Sequence, residues 1–195
     1  MRGFFSLKQV FTTKHLAVMA MLLAIRVILG LPFLTIYLTP QFKLISFAYL
    51  CDAATAMLYG PWAALAFGFA GDTLGYFATM GSGGGYMPLF AISEMVTGFI
   101  FAAFLYDPAR LSSGSRQPEN RPDVRLTRVL PAWALNLILV VLGLNSLWLM
   151  LLYGSSAGSV FTLVRFGSNL AQFPLHVALT YFVLRAIRRM RSYTD

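Results

Sequence analysis

Six polar side chains set within apolar stretches carry the chemistry open to this chain: Arg26, Asp52, Asp72, Glu94, Asn145 and Arg165. Arg26 stands inside an apolar run from Leu16 to Leu38. A guanidinium that deep in a membrane helix costs roughly 3 to more than 10 kcal/mol unless a partner or an aqueous cavity offsets it, so it marks a functional site by default. Counted inward from the outer helix ends, Arg26 lies about ten residues deep and Asp72, Glu94, Asn145 and Arg165 about seven, or roughly 10–15 Å. These residues are expected to form one polar layer in the outer half of the membrane. Arg165, Asn169, Gln172 and His176 step by 4, 3 and 4 residues, which aligns one polar face on the last helix, turned into the bundle. The competing expectation is that Arg26 and Arg165 pair with Asp72 and Glu94 and neutralise the layer without a ligand. Asp52 lies deeper and is not assigned by its spacing; pairing with an arginine and protonation are both open to it. His15 and His176 are the chain's two histidines, too few for a metal site of ordinary composition.

The elements that hold this layer follow from composition. The chain has 195 residues, 58% of them hydrophobic and 11% charged, with a mean hydropathy of +0.70. That balance excludes an ordinary soluble domain and predicts an all-α integral membrane protein. Spans of about 20 apolar residues are expected at 14–36, 42–60, 61–80, 87–106, 129–152 and 158–188, a six-helix bundle forming a single domain over 1–195. The first span is read as a retained helix, not a signal peptide, because its apolar run is too long and lacks a cleavage site. Cys51 is a lone cysteine within an apolar run, which leaves no disulfide framework.

The net charge of +8 is distributed asymmetrically. Arg2, Lys8 and Lys14 precede the first span; Arg110, Arg116, Arg121, Arg125 and Arg128 occupy a linker at about 107–128; Arg185, Arg188, Arg189 and Arg191 end the chain. Six spans put these segments on one side, which the positive-inside rule makes cytoplasmic, giving an N-in, C-in topology. The linker has no aromatics on which bases could stack, so nucleic acid is not an expected partner. The loops 37–43, 79–87 and 153–158 then face outward. The middle one contains Gly81-Ser82-Gly83-Gly84-Gly85-Tyr86, a run that fits a mobile lid or a plain turn.

The first helix has a second face. Ala17, Ala20 and Ala24 form a small-residue stripe that lets another helix approach closely. At 100° per residue Arg26 points about 160–240° away from Ala20 and Ala24. The chain has no GxxxxGK[ST] phosphate loop, so ATP-driven work belongs to other subunits. No cofactor is expected.

In order along the chain, the residues resemble the substrate-binding S components of energy-coupling factor (ECF) vitamin transporters, most closely the folate type. The resemblance runs from the alanine stripe and Arg26 through Leu44-Ile45-Ser46-Phe47, Tyr59-Gly60-Pro61, Gly71-Asp72-Thr73-Leu74-Gly75 and Tyr86-Met87-Pro88 to the stretch Ser93 to Gly98. Its most specific part is Asn145-Ser146-Leu147-Trp148-Leu149 with Tyr153-Gly154, Arg165, Asn169 and Pro174. The chain departs from the folate-type pattern at Ser168, where a lysine is expected, and at Asp52, where an apolar residue is expected. The resemblance implies a six-helix bundle in a bacterial plasma membrane that binds its vitamin near the extracellular face. It also implies that the alanine stripe docks on a transmembrane scaffold subunit joined to two ABC ATPases.

The expected ligand is a folate-like vitamin, with other vitamins such as pantothenate or pyridoxine as alternatives. Arg26 and Arg165 are candidates for its anionic or polar ends. Tyr86, Phe90 and Trp148 are candidates for stacking, and Asp72, Glu94, Asn145 and Asn169 for donor and acceptor matching. Two other classes compete. An intramembrane aspartyl enzyme would use Asp52 and Asp72 as a dyad, yet Phe69-Ala70-Gly71-Asp72 lacks the GxGD pattern. A stand-alone carrier would favour inverted repeats, and none is evident.

Overall fold

The computed structural model describes residues 13–31, 36–39, 42–45, 47–79, 86–106 and 124–194; in both strands and at some positions of the last helix, Arg165 among them, the description is of backbone alone. The glycine run at 81–85 and the linker over 107–123 lie outside the described residues. Helix α1 is Thr13–Leu29, followed by strands β1 (Ile36–Thr39) and β2 (Phe42–Ile45). Helices α2 (Tyr49–Tyr59), α3 (Pro61–Ala78) and α4 (Pro88–Leu105) come next. The chain then runs through α5 (Leu126–Asn136), a π-helical stretch Leu137–Leu144, and α6 (Asn145–Thr194).

Among the described residues, three helical stretches are long and apolar enough to cross a membrane: Pro88–Leu105, Leu126–Leu152 and Phe166–Arg189. Large apolar side chains face outward throughout, among them Met21, Phe77, Leu151, Leu163 and Phe182, while Thr55, Ser93, Thr97, Asn136, Gln172 and Thr180 are buried. Polar groups inside and apolar ones outside invert the pattern of a water-soluble domain.

Local chemistry sets the helix ends. Gly30 and Pro32 stop α1 seven residues before the expected end at 36, because the residue ahead of a proline disfavours helical backbone. Pro61 and Pro88 sit in the first turns of α3 and α4, where the missing N–H has no helical acceptor to lose. Between α2 and α3, Gly60 turns the chain at φ 84°. A Cβ at Gly60 would stand 2.9 Å from the Tyr106 ring, so both backbone and space require glycine there.

The second expected span is corrected. Residues 42–45 pair antiparallel with 36–39, in the register Ile36 with Ile45, Tyr37 with Lys43 and Thr39 with Phe42. Aromatic and β-branched residues favour this extended hairpin. Helix α2 therefore keeps only 11 residues, about 16 Å of rise, and is enclosed by α1, α3, α4 and α6. Ala53, Ala54 and Ala56 bring those neighbours close to its axis, and each is at most 1% exposed.

Helices α3 and α4 pack most extensively. A Cβ at Gly68 would lie 2.6 Å from the Glu94 carbonyl oxygen, and one at Gly98 the same distance from that of Ala64. The two backbones thus touch through reciprocal glycines, as small residues permit in membrane helix pairs. Phe101, Val129, Ala132 and Leu184 fill the core on the other side of α4. Within it Trp133 Nε1 donates to Thr180 Oγ1 at 3.1 Å and Thr97 Oγ1 to Asn136 Oδ1 at 3.0 Å.

The fifth and sixth expected spans are recovered with two features that spacing did not indicate. One is the π-helical stretch, in which the Asn145 N–H reaches back to the Val140 carbonyl. Such widened turns are uncommon and recur at functional sites. The other is Gly154, whose φ of 80° and ψ of 168° break α6 near its start, where a loop at 153–158 was expected.

Candidate functional site

Arg26, 8% exposed, projects from α1 toward α2, α3 and α4. Its Nε donates to Asp52 Oδ1 at 2.7 Å and its Nη2 to Glu94 Oε2 at 2.9 Å. The guanidinium lies against Gly71, where a Cβ would stand 2.7 Å from Nε and nearer still to Cζ and Nη1. One cation thus joins the short second helix to the fourth across the glycine of the third. Asp52 is almost wholly buried, whereas the Glu94 side chain is 38% exposed. Asp72 is half-buried and within electrostatic reach of Arg26 and Asp52.

This corrects the expected pairing. Asp52, unassigned by its spacing, is the closest partner of Arg26, and Glu94 is the second. Of the two alternatives open to Asp52 the structure takes the arginine, because an acid inside an apolar helix needs a cation or donors. The same geometry removes support from an aspartyl dyad, since Asp52 gives an oxygen to a guanidinium.

A second group lies beside Glu94. Trp148 Nε1 donates to Ser93 Oγ at 3.0 Å, fixing a half-buried indole against the next residue of α4. Asn145, one turn earlier, has a buried Oδ1 with no hydrogen-bond partner among the described residues. An unsatisfied buried amide oxygen costs about 1–3 kcal/mol, and a ligand donor would remove that cost. Tyr86 sits just before α4, its hydroxyl 2.7 Å from Thr73 Oγ1 and its ring 5.2 Å from that of Tyr76 and 5.9 Å from that of Phe77. Phe90 is half-buried in the first turn of α4.

Farther along, Asn169 borders a cavity of about 10 Å³ together with Trp133, Asn136, Phe173 and His176. Gln172 and His176 are buried, so this part of the polar face turns inward. The His176 ring lies 4.5 Å from that of Tyr49 and 4.9 Å from that of Trp133, and its Nε2 has no hydrogen-bond partner among the described residues. The side chain of Arg165 lies outside the described residues. Ala17, Ala20 and Ala24 are exposed on α1, opposite the buried Arg26. Among the described residues, no group of three or more His, Cys, Asp or Glu side chains could hold a metal ion.

Known proteins are similar to this chain. The chain is 27% identical over 146 residues, 75% of its length and of the relative's, to the folate transporter FolT of Clostridium novyi (strain NT). It is 25% identical over 176 residues to the folate transporter FolT of Leuconostoc mesenteroides subsp. mesenteroides, covering 88% of this chain and 85% of that one. The crystal structure of FolT bound with folic acid superposes with a TM-score of 0.70 at 28% identity, over 89% of this chain and 92% of the other. These relatives are transporters, not enzymes. A family profile described as the ECF-type riboflavin transporter, S component, matches residues 10–189, and the chain belongs to that family of ECF transporter S components.

Proposed function

We propose that this protein is the folate-binding S component of an ECF-type importer. The observation that carries the reading is the likeness, over nine-tenths of the chain, to a FolT structure holding folic acid. The polar layer supports it, because a pterin ring offers donors, acceptors and a flat face. Glu94 and Asp72 supply acceptors, Asn145 an unused amide oxygen, and Trp148, Tyr86 and Phe90 aromatic surface. Arg165 and Asn169 of the last helix complete the proposed ligand set, and Arg26 belongs to the site through its bond to Glu94.

In this reading the chain forms one membrane domain of six spans in a bacterial plasma membrane, N-in and C-in. Its 107–128 linker lies on the cytoplasmic side, and the vitamin enters from outside. A scaffold subunit and two ABC ATPases supply the ATP-driven step, and the Ala17, Ala20 and Ala24 stripe meets the scaffold. A leucine at Ala24 is expected to abolish co-purification with the scaffold while folic acid binding in detergent stays within about twofold, since the stripe lies opposite Arg26. Loss of both, or of neither, counts against that division of faces.

The family's description names riboflavin where the relatives name folate, and riboflavin is the second reading. Titrating the purified chain with folic acid, riboflavin, pantothenate and pyridoxine separates them. Saturable binding of folic acid, at least about 100-fold tighter than the other three, is expected. A preference for riboflavin would keep the family and overturn the ligand.

A further inference from the structure

The cluster around Arg26 holds more negative charge than it cancels. One guanidinium faces Asp52 and Glu94, with Asp72 within electrostatic reach. Two of its donor positions, Nε and Nη2, go to different carboxylates of the chain itself, and the Nη1 side lies against Gly71. Pairing with a ligand carboxylate through a fork needs two adjacent N–H groups aimed outward. Here the Nε–Nη2 edge is already committed to Asp52 and Glu94, in a place where surplus negative charge disfavours a further anion.

Glu94 has the opposite character. Its side chain is partly exposed, Arg26 engages only Oε2, and Oε1 has no hydrogen-bond partner among the described residues. It follows Ser93, which holds the Trp148 indole, so an open carboxylate oxygen and an aromatic ring are anchored on consecutive residues of α4. That combination suits a flat heterocycle whose edge donates hydrogen bonds, such as an aminopyrimidine.

We infer that Arg26 is a positioning residue: Asp52 holds its Nε, Arg26 holds one oxygen of Glu94, and the other oxygen of Glu94 receives the donor edge of the ligand's ring. This inference rests on the folate-binding reading and assigns Asp52, an almost wholly buried residue, a part in specificity. Asp52 fixes where the guanidinium sits, and the guanidinium fixes Glu94. A buried acid that serves only packing would leave ligand preference alone.

The test compares three ligands on purified full chain in detergent: folic acid, its analogue with the 2-amino group replaced by methyl, and pteroic acid, which lacks the glutamate. The wild-type protein is expected to prefer folic acid over the 2-methyl analogue by roughly 10- to 100-fold, the worth of a hydrogen bond to a charged group. Glu94→Ala, which removes the acceptor, should bring that ratio near one. Asp52→Asn and Arg26→Lys should lower it by roughly tenfold, with the ratio of folic acid to pteroic acid unchanged. A ratio of dissociation constants does not depend on the fraction of active protein, and if one of the last two variants fails to fold the other gives the same readout. The inference is overturned if both variants keep the preference over the 2-methyl analogue, or if they instead lose preference for folic acid over pteroic acid, which would put Arg26 on the ligand's carboxylates. Absence of folic acid binding by the wild-type chain is a separate result, against the folate reading itself.

Discussion

Arg26→Ala is expected to lower unfolding stability in detergent by about 3–5 kcal/mol, the cost of leaving a buried charge without its partner. Asp52 bears that cost, because it is 4% exposed and Arg26 is the only ion-pair partner that it has among the described residues. Glu94, partly exposed, can turn toward water. The asymmetry gives a second arm. Asp52→Ala introduced into Arg26→Ala removes the stranded carboxylate and should recover at least about 1 kcal/mol, whereas Glu94→Ala in the same background should recover little. Chemical denaturation followed by tryptophan fluorescence reads all four proteins. Equal recovery from both second substitutions would mean that burial does not decide which carboxylate depends on Arg26.

The same triad separates what the sequence reveals from what it hides. The direction of Arg26 was legible, since a charge opposite an alanine stripe has one way to face once the helix exists, and the structure buries Arg26 and exposes Ala17, Ala20 and Ala24. Its partner was not. Depth counted along straight helices from their outer ends puts Asp52 too deep, because that count starts its helix near 42. The hairpin uses up residues 42–45, so the helix begins at Tyr49 and Asp52 falls in its first turn, level with Arg26. Helices α3 and α4 came out within two residues at each end, because Pro61 and Pro88 mark their starts in covalent chemistry. The π-helical stretch left no trace in Leu137–Leu144, whose apolar residues fit an ordinary helix equally well. The widened turn rotates Asn145 relative to α-helical register. Gly71 stood in a recognisable motif, but its role as the surface under a guanidinium from another helix is a tertiary fact.

Gly71→Ala should therefore damage the site more than its one added methyl group suggests. In an open helical position this exchange favours folding by about 0.5–1 kcal/mol, and Gly75, one turn farther along α3, provides that case: a Cβ there meets nothing within 4 Å. At Gly71 the new Cβ overlaps the guanidinium. A free arginine head would swing aside at little cost. This one is held on two carboxylates at 2.7 and 2.9 Å, so movement away from the methyl group lengthens at least one ion pair in a buried place. The expected result is a net loss of about 2–4 kcal/mol of stability from overpacking and a weakened pair. A fall in folic acid affinity of at least about tenfold should accompany it as Glu94 loses its clamp. Gly75→Ala should be neutral or slightly stabilising and bind as the wild type does. If the two alanine variants unfold and bind alike, the guanidinium has room to move, and its contact with Gly71 does not position the triad.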